Sequence, residues 1–257
     1  MDQPLPTPPS ERLEAYLRRQ RSFWNTKDEK TARFGRIVTT EKKDEAEWNA
    51  STAQAIELIF GRITPKETWT VLEIGCGVGR ILSEVVAKKL AFRMLIGVDI
   101  SETMIGFARK RIGETPRVRL FVNNGCNLKE IGDSSVDLVY SNDVFIHIFD
   151  LDVAMTYFRE VRRVLTPNGL FRFNVRTFNP DTSFAGTFGG QVARLLYKAG
   201  IFSMARHRWN PRQDAEFNGN QYMPQELRRF VEKSGLKVEG LDLHGNHLWC
   251  TTRKKEV

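Results

Sequence analysis

Three glycines between an apolar segment and a helix-forming segment are the first candidates for chemistry in this 257-residue sequence. The run "TVLEIGCGVGRIL" places Gly75, Gly77 and Gly79 after a predicted strand and before a predicted helix. Such a turn points free backbone N–H groups and the positive end of a helix dipole at a ligand. The spacing therefore predicts a loop that binds a nucleotide-like molecule.

The residues around the glycines narrow the choice of ligand. A dinucleotide-binding turn has the pattern G-x-G-x-x-G, but Arg80 occupies the place of the third glycine. Glu73 stands two residues before the first glycine. A carboxylate there repels a diphosphate but accepts hydrogen bonds from an ammonium group. The loop therefore favours a zwitterionic ligand over a dinucleotide.

Polar residues also follow the next three predicted strands. Asp99 ends the second, where a carboxylate can accept hydrogen bonds from both hydroxyls of a diol. The segment "NNGCNL" follows the third strand, and "SNDVFIHI" follows the fourth. Because open α/β sheets bind ligands at the carboxyl ends of their strands, we expect these residues at one crevice.

These four segments, in this order, resemble the class I S-adenosylmethionine-dependent methyltransferases over roughly residues 50 to 255. In that family the glycine loop closes on the methionine part of the cofactor, and the acid after the second strand binds the ribose. The resemblance implies that Ile100 and Met104 line the adenine. It also places Asn124 where family members often carry an aspartate, and the amide oxygen can still accept one hydrogen bond. The predicted cofactor-binding residues are Glu73, Gly75, Cys76, Gly77, Arg80, Asp99, Ile100, Met104, Asn124, Gly125, Cys126, Ser141 and Asn142.

The candidate catalytic residues are His147 and Asp143, both after the fourth strand. Methyl transfer is an in-line displacement, which requires above all that the acceptor be held in line with the S–CH3 bond. A hydroxyl acceptor must also lose its proton, and a histidine or carboxylate at the sheet edge is suited to take it. The alternative is that these side chains only fix a loop through hydrogen bonds.

The elements that position these residues alternate between short apolar strands and amphipathic helices from residue 70 onward. This rhythm predicts βαβ units and a doubly wound parallel sheet. We expect an α/β, Rossmann-like fold with seven mostly parallel strands, a C-terminal antiparallel hairpin strand and helices on both faces. Residues 1–46 are predicted as an N-terminal tail and helical cap, and residues 47–257 as the methyltransferase domain.

An insertion at residues 176–222 interrupts the rhythm after the fifth strand, and its length predicts a functional role. Residues 172–212 carry seven basic side chains and one acidic side chain. This stretch therefore holds most of the net charge of +8 that the whole chain carries. Three interpretations remain open: a charged surface lid, a site for an anionic or polar acceptor, and a contact with RNA or a membrane surface. We prefer a substrate-recognition lid.

The predicted function is methyl transfer to an oxygen or nitrogen atom of a small polar or anionic metabolite, for example of sugar or natural-product type, with S-adenosylmethionine as the cofactor and without a metal. Methylation of RNA and a non-catalytic cofactor-binding module are the alternatives. RNA is not favoured as a partner, because no separate RNA-binding domain is evident. Neither the acceptor nor the oligomeric state can be determined from the sequence.

The cysteines and the apolar runs of the sequence predict the cellular compartment of the protein. Cys76, Cys126 and Cys250 are widely separated, which argues against a disulfide framework or a zinc ribbon and favours a reducing, cytoplasmic compartment. The N-terminal residues lack the apolar core of a signal peptide, and the apolar runs elsewhere are too short to span a membrane.

Overall fold

In a computed structural model of the chain, residues 11–25, 45–177, 191, 192, 195 and 219–255 are described. Within the described ranges, helices α1 (Glu11–Trp24) and α2 (Glu45–Phe60) precede the first strand. Helices α3 (Arg80–Ala87), α4 (Glu102–Ile112), α5 (Leu151–Val164) and α6 (Pro224–Glu232) follow it. The strands are β1 (Thr70–Ile74), β2 (Met94–Asp99), β3 (Val118–Val122), β4 (Val136–Ser141), β5 (Leu165–Arg176), β6 (Leu236–His244) and β7 (His247–Lys254).

The seven strands form one sheet in the order β3-β2-β1-β4-β5-β7-β6. The five strands from β1 to β5 pair in parallel, whereas β7 runs antiparallel to both of its neighbours, β5 and β6. The predicted fold class is confirmed. Chain order reverses between β1 and β4, and a ligand crevice forms at such a switch point.

The sheet is buried on both sides because its central strands are apolar on both faces. All five residues of β1 are buried. Leu72 and Ile74 belong to one apolar cluster, and Val71 belongs to a second one with Leu95 and Leu138. Strands covered on both faces read as continuous apolar runs, and this is the pattern that predicted them.

The fifth strand begins earlier than expected. The sequence "TPNG" predicts a turn that ends α5 and separates it from a strand starting at Leu170. In the structure these four residues lie within β5 and interrupt its pairing with β4, because Leu165 pairs with Val136 and Leu170 with Leu138. They form a local bulge at the start of the strand.

Hydrogen bonds join the two ends of the predicted insertion. Arg176 and Gln221 form a parallel bridge, and the Tyr222 N–H donates to the Arg176 carbonyl at 2.9 Å. The Thr177 hydroxyl also donates to the Tyr222 carbonyl at 2.7 Å. Residues 178–190, 193, 194 and 196–218, which include most of the predicted lid, lie outside the described residues.

The predicted boundary between residues 46 and 47 falls inside α2, which begins at Glu45. Among the described residues, no helix is both long and apolar enough to cross a membrane.

Candidate functional site

A cavity opens at the carboxyl ends of β1, β2 and β4, at the point where chain order reverses. Twelve of the residues predicted from sequence line it: Glu73, Gly75, Cys76, Gly77, Arg80, Asp99, Ile100, Met104, Gly125, Asn142, Asp143 and His147. The structure therefore brings segments from four strand ends to one place. Asn124, Cys126 and Ser141 do not belong to this lining.

The glycine loop is fastened to the end of β2. Gly75, Gly77 and Gly79 have φ values of 73°, 53° and 75°, a backbone conformation that side chains disfavour. The N–H groups of Gly75 and Cys76 both donate to the Val98 carbonyl, at 2.8 and 3.0 Å. A methyl group on Gly75 would also lie 2.1 Å from the Val144 Cγ2 atom. Glycine is therefore required there by backbone conformation and by space.

Glu73 is buried beneath this loop, and its carboxyl accepts a hydrogen bond from the Tyr140 hydroxyl at 3.0 Å. Burial raises the pKa of Glu73 from 4.5 to about 8, despite the opposing effects of this hydrogen bond and of the Arg80 charge. The carboxyl is thus mostly protonated at neutral pH until a cation approaches it. An ammonium group in the cavity would favour its ionised form.

Asp99 is held by two backbone groups, one on each carboxylate oxygen. The Gly77 N–H donates to Oδ2 at 2.8 Å, and the Ser101 N–H donates to Oδ1 at 2.9 Å. Burial raises the pKa of Asp99, whereas these hydrogen bonds lower it. Each oxygen of a carboxylate accepts about two hydrogen bonds, so both retain capacity for donors in the cavity.

The segment after β3 presents a different asparagine from the one predicted. Asn124 Oδ1 accepts the N–H groups of Cys126 and Asn127, both at 3.0 Å, and so forms a local turn. Asn123 is buried and lines the cavity instead. Its oxygen accepts the Gly125 N–H at 3.1 Å, and its amide donates to the Tyr157 hydroxyl at 3.0 Å. The two adjacent asparagines gave no sequence signal that would separate these roles.

Ser141 is fully buried, and its hydroxyl donates to the Ile74 carbonyl at 3.0 Å. This hydrogen bond joins the ends of β1 and β4, and the Ser141 side chain does not line the cavity. Its observed contact is therefore structural.

Asp143 lines the cavity from the loop after β4 and has a left-handed backbone conformation, with φ of 60°. Its carboxylate accepts hydrogen bonds from the Asn174 amide at 2.6 Å and the Asn142 amide at 3.1 Å. His147 is buried on the same loop, with its ring 5.2 Å from that of Trp24 in an edge-to-face arrangement. Both candidate catalytic residues therefore reach the cavity.

Helix α1 supplies a wall of the cavity that the motifs did not predict. Tyr16, Leu17, Gln20 and Trp24 line it, and the Ser101 hydroxyl donates to the Trp24 carbonyl at 3.1 Å. The helical cap predicted within residues 1–46 did not specify which side chains enter the cavity. Phe23 is absent from the lining and contacts Trp24 edge to face.

Arg80 projects from the first residue of α3 toward α2. Its guanidinium donates to the hydroxyls of Ser51 and Thr52 at 3.1 and 3.3 Å and lies over the Trp48 ring. Arg111 lies over the same ring, also 5.6 Å from its centre. Trp48 therefore packs against two guanidinium groups rather than in the cavity.

The cysteines beside the cavity have the properties of buried thiols. Burial raises the pKa of both Cys76 and Cys126, so neither forms a nucleophilic thiolate readily. Within the described part of the chain, no group of three or more His, Cys, Asp and Glu side chains could hold a metal ion.

Residues 71–169, which contain all four motifs, match the family model described as "Methyltransferase domain". Residues 71–169 of the chain therefore form a methyltransferase domain. This match confirms the resemblance drawn from the glycine loop, the acid after β2 and the segments after β3 and β4.

Two relatives of this methyltransferase domain differ in the atom that their names say is methylated. Ubiquinone biosynthesis O-methyltransferase of Sinorhizobium fredii is 30% identical over 68% of this chain and 62% of its own length. Phosphoethanolamine N-methyltransferase 1 of Arabidopsis thaliana is 36% identical over 45% of this chain and 22% of its own length. The chain spans between about a fifth and three-fifths of the first curated relatives that it matches.

A solved structure with the same fold is geranyl diphosphate C-methyltransferase from Streptomyces coelicolor, which was determined with S-adenosyl-L-homocysteine, geranyl diphosphate and Mg²⁺. It is 16% identical, with a TM-score of 0.60, over 93% of this chain and 98% of that one.

Proposed function

We propose that this chain binds S-adenosylmethionine in the described cavity and transfers its methyl group to an oxygen or nitrogen atom of a small polar or anionic molecule. The observation that carries the proposal is the convergence of Glu73, the glycine loop, Asp99 and His147 on one cavity. When bound, the cofactor supplies a methyl group on a sulfonium, which is open to in-line attack.

The donors and acceptors of the cavity fit this cofactor. The Glu73 carboxyl would accept hydrogen bonds from the ammonium group, and the Asp99 carboxylate would accept them from the ribose hydroxyls. Ile100 and Met104 offer apolar contact for the adenine. We add Asn123 to the proposed adenine contacts, because it lines the cavity where Asn124 does not. For Asn124, Cys126 and Ser141 we propose a supporting role through the hydrogen bonds described above.

The acceptor would approach from the side of Asp143 and His147. If the acceptor is a hydroxyl, its proton must leave, and His147 or Asp143 would receive it. If the acceptor is a neutral amine, holding it in line suffices and no base is needed for attack. The named relatives include O- and N-methyltransferases, which supports both classes of acceptor.

Titration calorimetry with S-adenosylhomocysteine tests the cofactor site. We expect saturable binding to the wild type and at least tenfold weaker binding to Asp99→Asn, which loses the negative charge offered to the ribose hydroxyls. Asp152→Asn, which changes an exposed carboxylate in the first turn of α5, is the matched control and should bind as the wild type does. No saturation of the wild type, or equal affinity of both variants, would refute the proposed site.

RNA methylation is the second candidate, and the net charge of +8 is the observation that favours it. RNA binding would weaken steeply with salt, because each neutralised phosphate releases counterions. A binding assay with single-stranded RNA between about 50 and 200 mM salt separates the two candidates: strong binding that falls by more than about 100-fold would favour RNA. Detection of methyl transfer to any acceptor would exclude a non-catalytic module.

The reducing, cytoplasmic compartment stays a prediction. It is supported by the three cysteines, all of them buried as free thiols.

A further inference from the structure

Arg176, the last residue of β5, presents a half-buried guanidinium at the carboxyl edge of the sheet. Among the described residues, none accepts a hydrogen bond from it. Burial lowers its pKa, and the nearby Asp143 carboxylate opposes this effect. A guanidinium has five N–H donors in a rigid fork, so one that is half-buried without acceptors is suited to receive an anion.

Arg172 on the same strand shows how this chain treats a structural arginine. The two residues are four apart and thus belong to the same face of the sheet. Arg172 donates to the Leu58 carbonyl, the Asp242 carboxylate and the Thr251 hydroxyl, at 2.6, 3.2 and 2.6 Å. Its donors thus hold α2 and β6 to β5. Arg176 makes no corresponding set of contacts within the described chain.

The Asp143 carboxylate does not interact with Arg176 alone, because it has other partners. Asn174 and Asn142 donate to its two oxygens, and the positive charge of Arg80 also acts on it. The charges of two guanidinium groups thus act on one carboxylate on the side of the cavity that holds His147. The local charge is positive where the acceptor would enter.

The backbone beneath Arg176 is fixed on both sides. Arg176 pairs with His247 of β7, and its carbonyl accepts the Tyr222 N–H at 2.9 Å. The next residue, Thr177, donates its N–H to the Asn246 carbonyl at 2.9 Å. A side chain that projects from a fixed base loses less conformational freedom when it binds a ligand.

We propose that Arg176 binds an anionic group, either a carboxylate or a phosphate monoester, on the methyl acceptor. The charge of Asp143, which lines the cavity, acts on Arg176, and this places the anionic group at the edge of the cavity. This inference rests on the proposed methyltransferase function, since it assigns the anion to the acceptor. Arg176 thereby becomes a specificity-determining residue for the reaction.

Inorganic phosphate and acetate are the probes for the two anionic groups, a phosphate monoester and a carboxylate. Each is titrated into the full chain saturated with S-adenosylhomocysteine, at ionic strength held constant with potassium chloride, while the arginine Nε–Hε resonances are followed by NMR. The Arg176 resonance is assigned by its absence from Arg176→Lys. We expect it to shift with saturation, and the probe that saturates at the lower concentration identifies phosphate or carboxylate as the recognised group.

Three variants make the result decisive. Arg176→Gln should bind the better probe at least tenfold more weakly, Arg176→Lys should retain part of the affinity, and Arg159→Gln, which changes an exposed arginine on α5, should match the wild type. Equal affinity in Arg176→Gln, or a response to neither probe, overturns the inference. Binding of S-adenosylhomocysteine is measured separately for each variant, so that loss of the cofactor site is distinguished from loss of the anion site.

Discussion

Asn174 and Asp143 exchange two hydrogen bonds between β5 and the loop that follows β4. The Asp143 N–H donates to Asn174 Oδ1 at 2.7 Å, and the Asn174 amide donates to Asp143 Oδ1 at 2.6 Å. Asn174 is 1% exposed, so water cannot readily replace it. The pair fixes a residue whose left-handed backbone is unfavourable without support.

We therefore expect Asn174→Ala to lower the free energy of unfolding by about 2–4 kcal/mol, because it leaves a buried N–H unpaired and removes a donor from a carboxylate. Urea unfolding followed by circular dichroism measures the change. Asn168→Ala, at an exposed position of the bulge in β5, is the matched control and should change stability by less than about 0.5 kcal/mol. Equal stabilities of the two variants would show that the pair is not supporting the loop.

Glu73 should make stability depend on pH. Its pKa is about 8 in the folded protein and 4.5 as the ordinary value, so between these values the folded state binds more protons than the unfolded state. Stability should then fall as pH rises from 4.5 to 8, by up to about 1.4 kcal/mol per pH unit from this group. Relative to Glu73→Gln, which cannot ionise, the wild type should lose stability across this range. Parallel pH profiles for the two proteins would contradict the raised pKa.

Cofactor binding should release a proton from the same carboxyl. At pH 7 Glu73 is mostly protonated in the free protein, and an ammonium group placed beside it would lower its pKa. Calorimetry with S-adenosylhomocysteine in two buffers of different ionisation enthalpy counts the protons released. We expect close to one proton per cofactor for the wild type and none for Glu73→Gln. The same count in both proteins would mean that the ammonium group does not meet Glu73.

Gly219 lies directly against the loop that carries His147. A methyl group on Gly219 would lie 2.2 Å from the Ile146 carbonyl oxygen and 3.0 Å from the His147 backbone nitrogen. Gly219→Ala must therefore displace the backbone. We expect a loss of about 1–3 kcal/mol of stability and a shifted His147 imidazole resonance in NMR spectra. Gly106→Ala on α4 is the control, because nothing lies within 4 Å of its new methyl group. It should be neutral or stabilising by up to about 1 kcal/mol, with His147 unchanged.

The fold and half of the site follow from local sequence. Apolar runs alternating with amphipathic helices predicted the doubly wound sheet, because a strand buried on both faces must be apolar throughout. The glycine loop, Glu73 and Asp99 were predictable for a related reason. They lie at fixed distances from strand ends, and parallel strands bring those ends to one edge.

Tertiary packing decided the rest, because contacts between segments far apart in the chain leave no regular spacing in the sequence. Tyr16 and Trp24 enter the cavity through the docking of α1, whose Trp24 carbonyl accepts a hydrogen bond from the Ser101 hydroxyl, 77 residues further along the chain. Whether Asn123 or Asn124 lines the cavity depends on how the side-chain oxygen of each accepts backbone N–H groups in the turn after β3. The sequence by itself thus determined the sheet and the glycine loop, whereas only the folded chain decided which further side chains line the cavity.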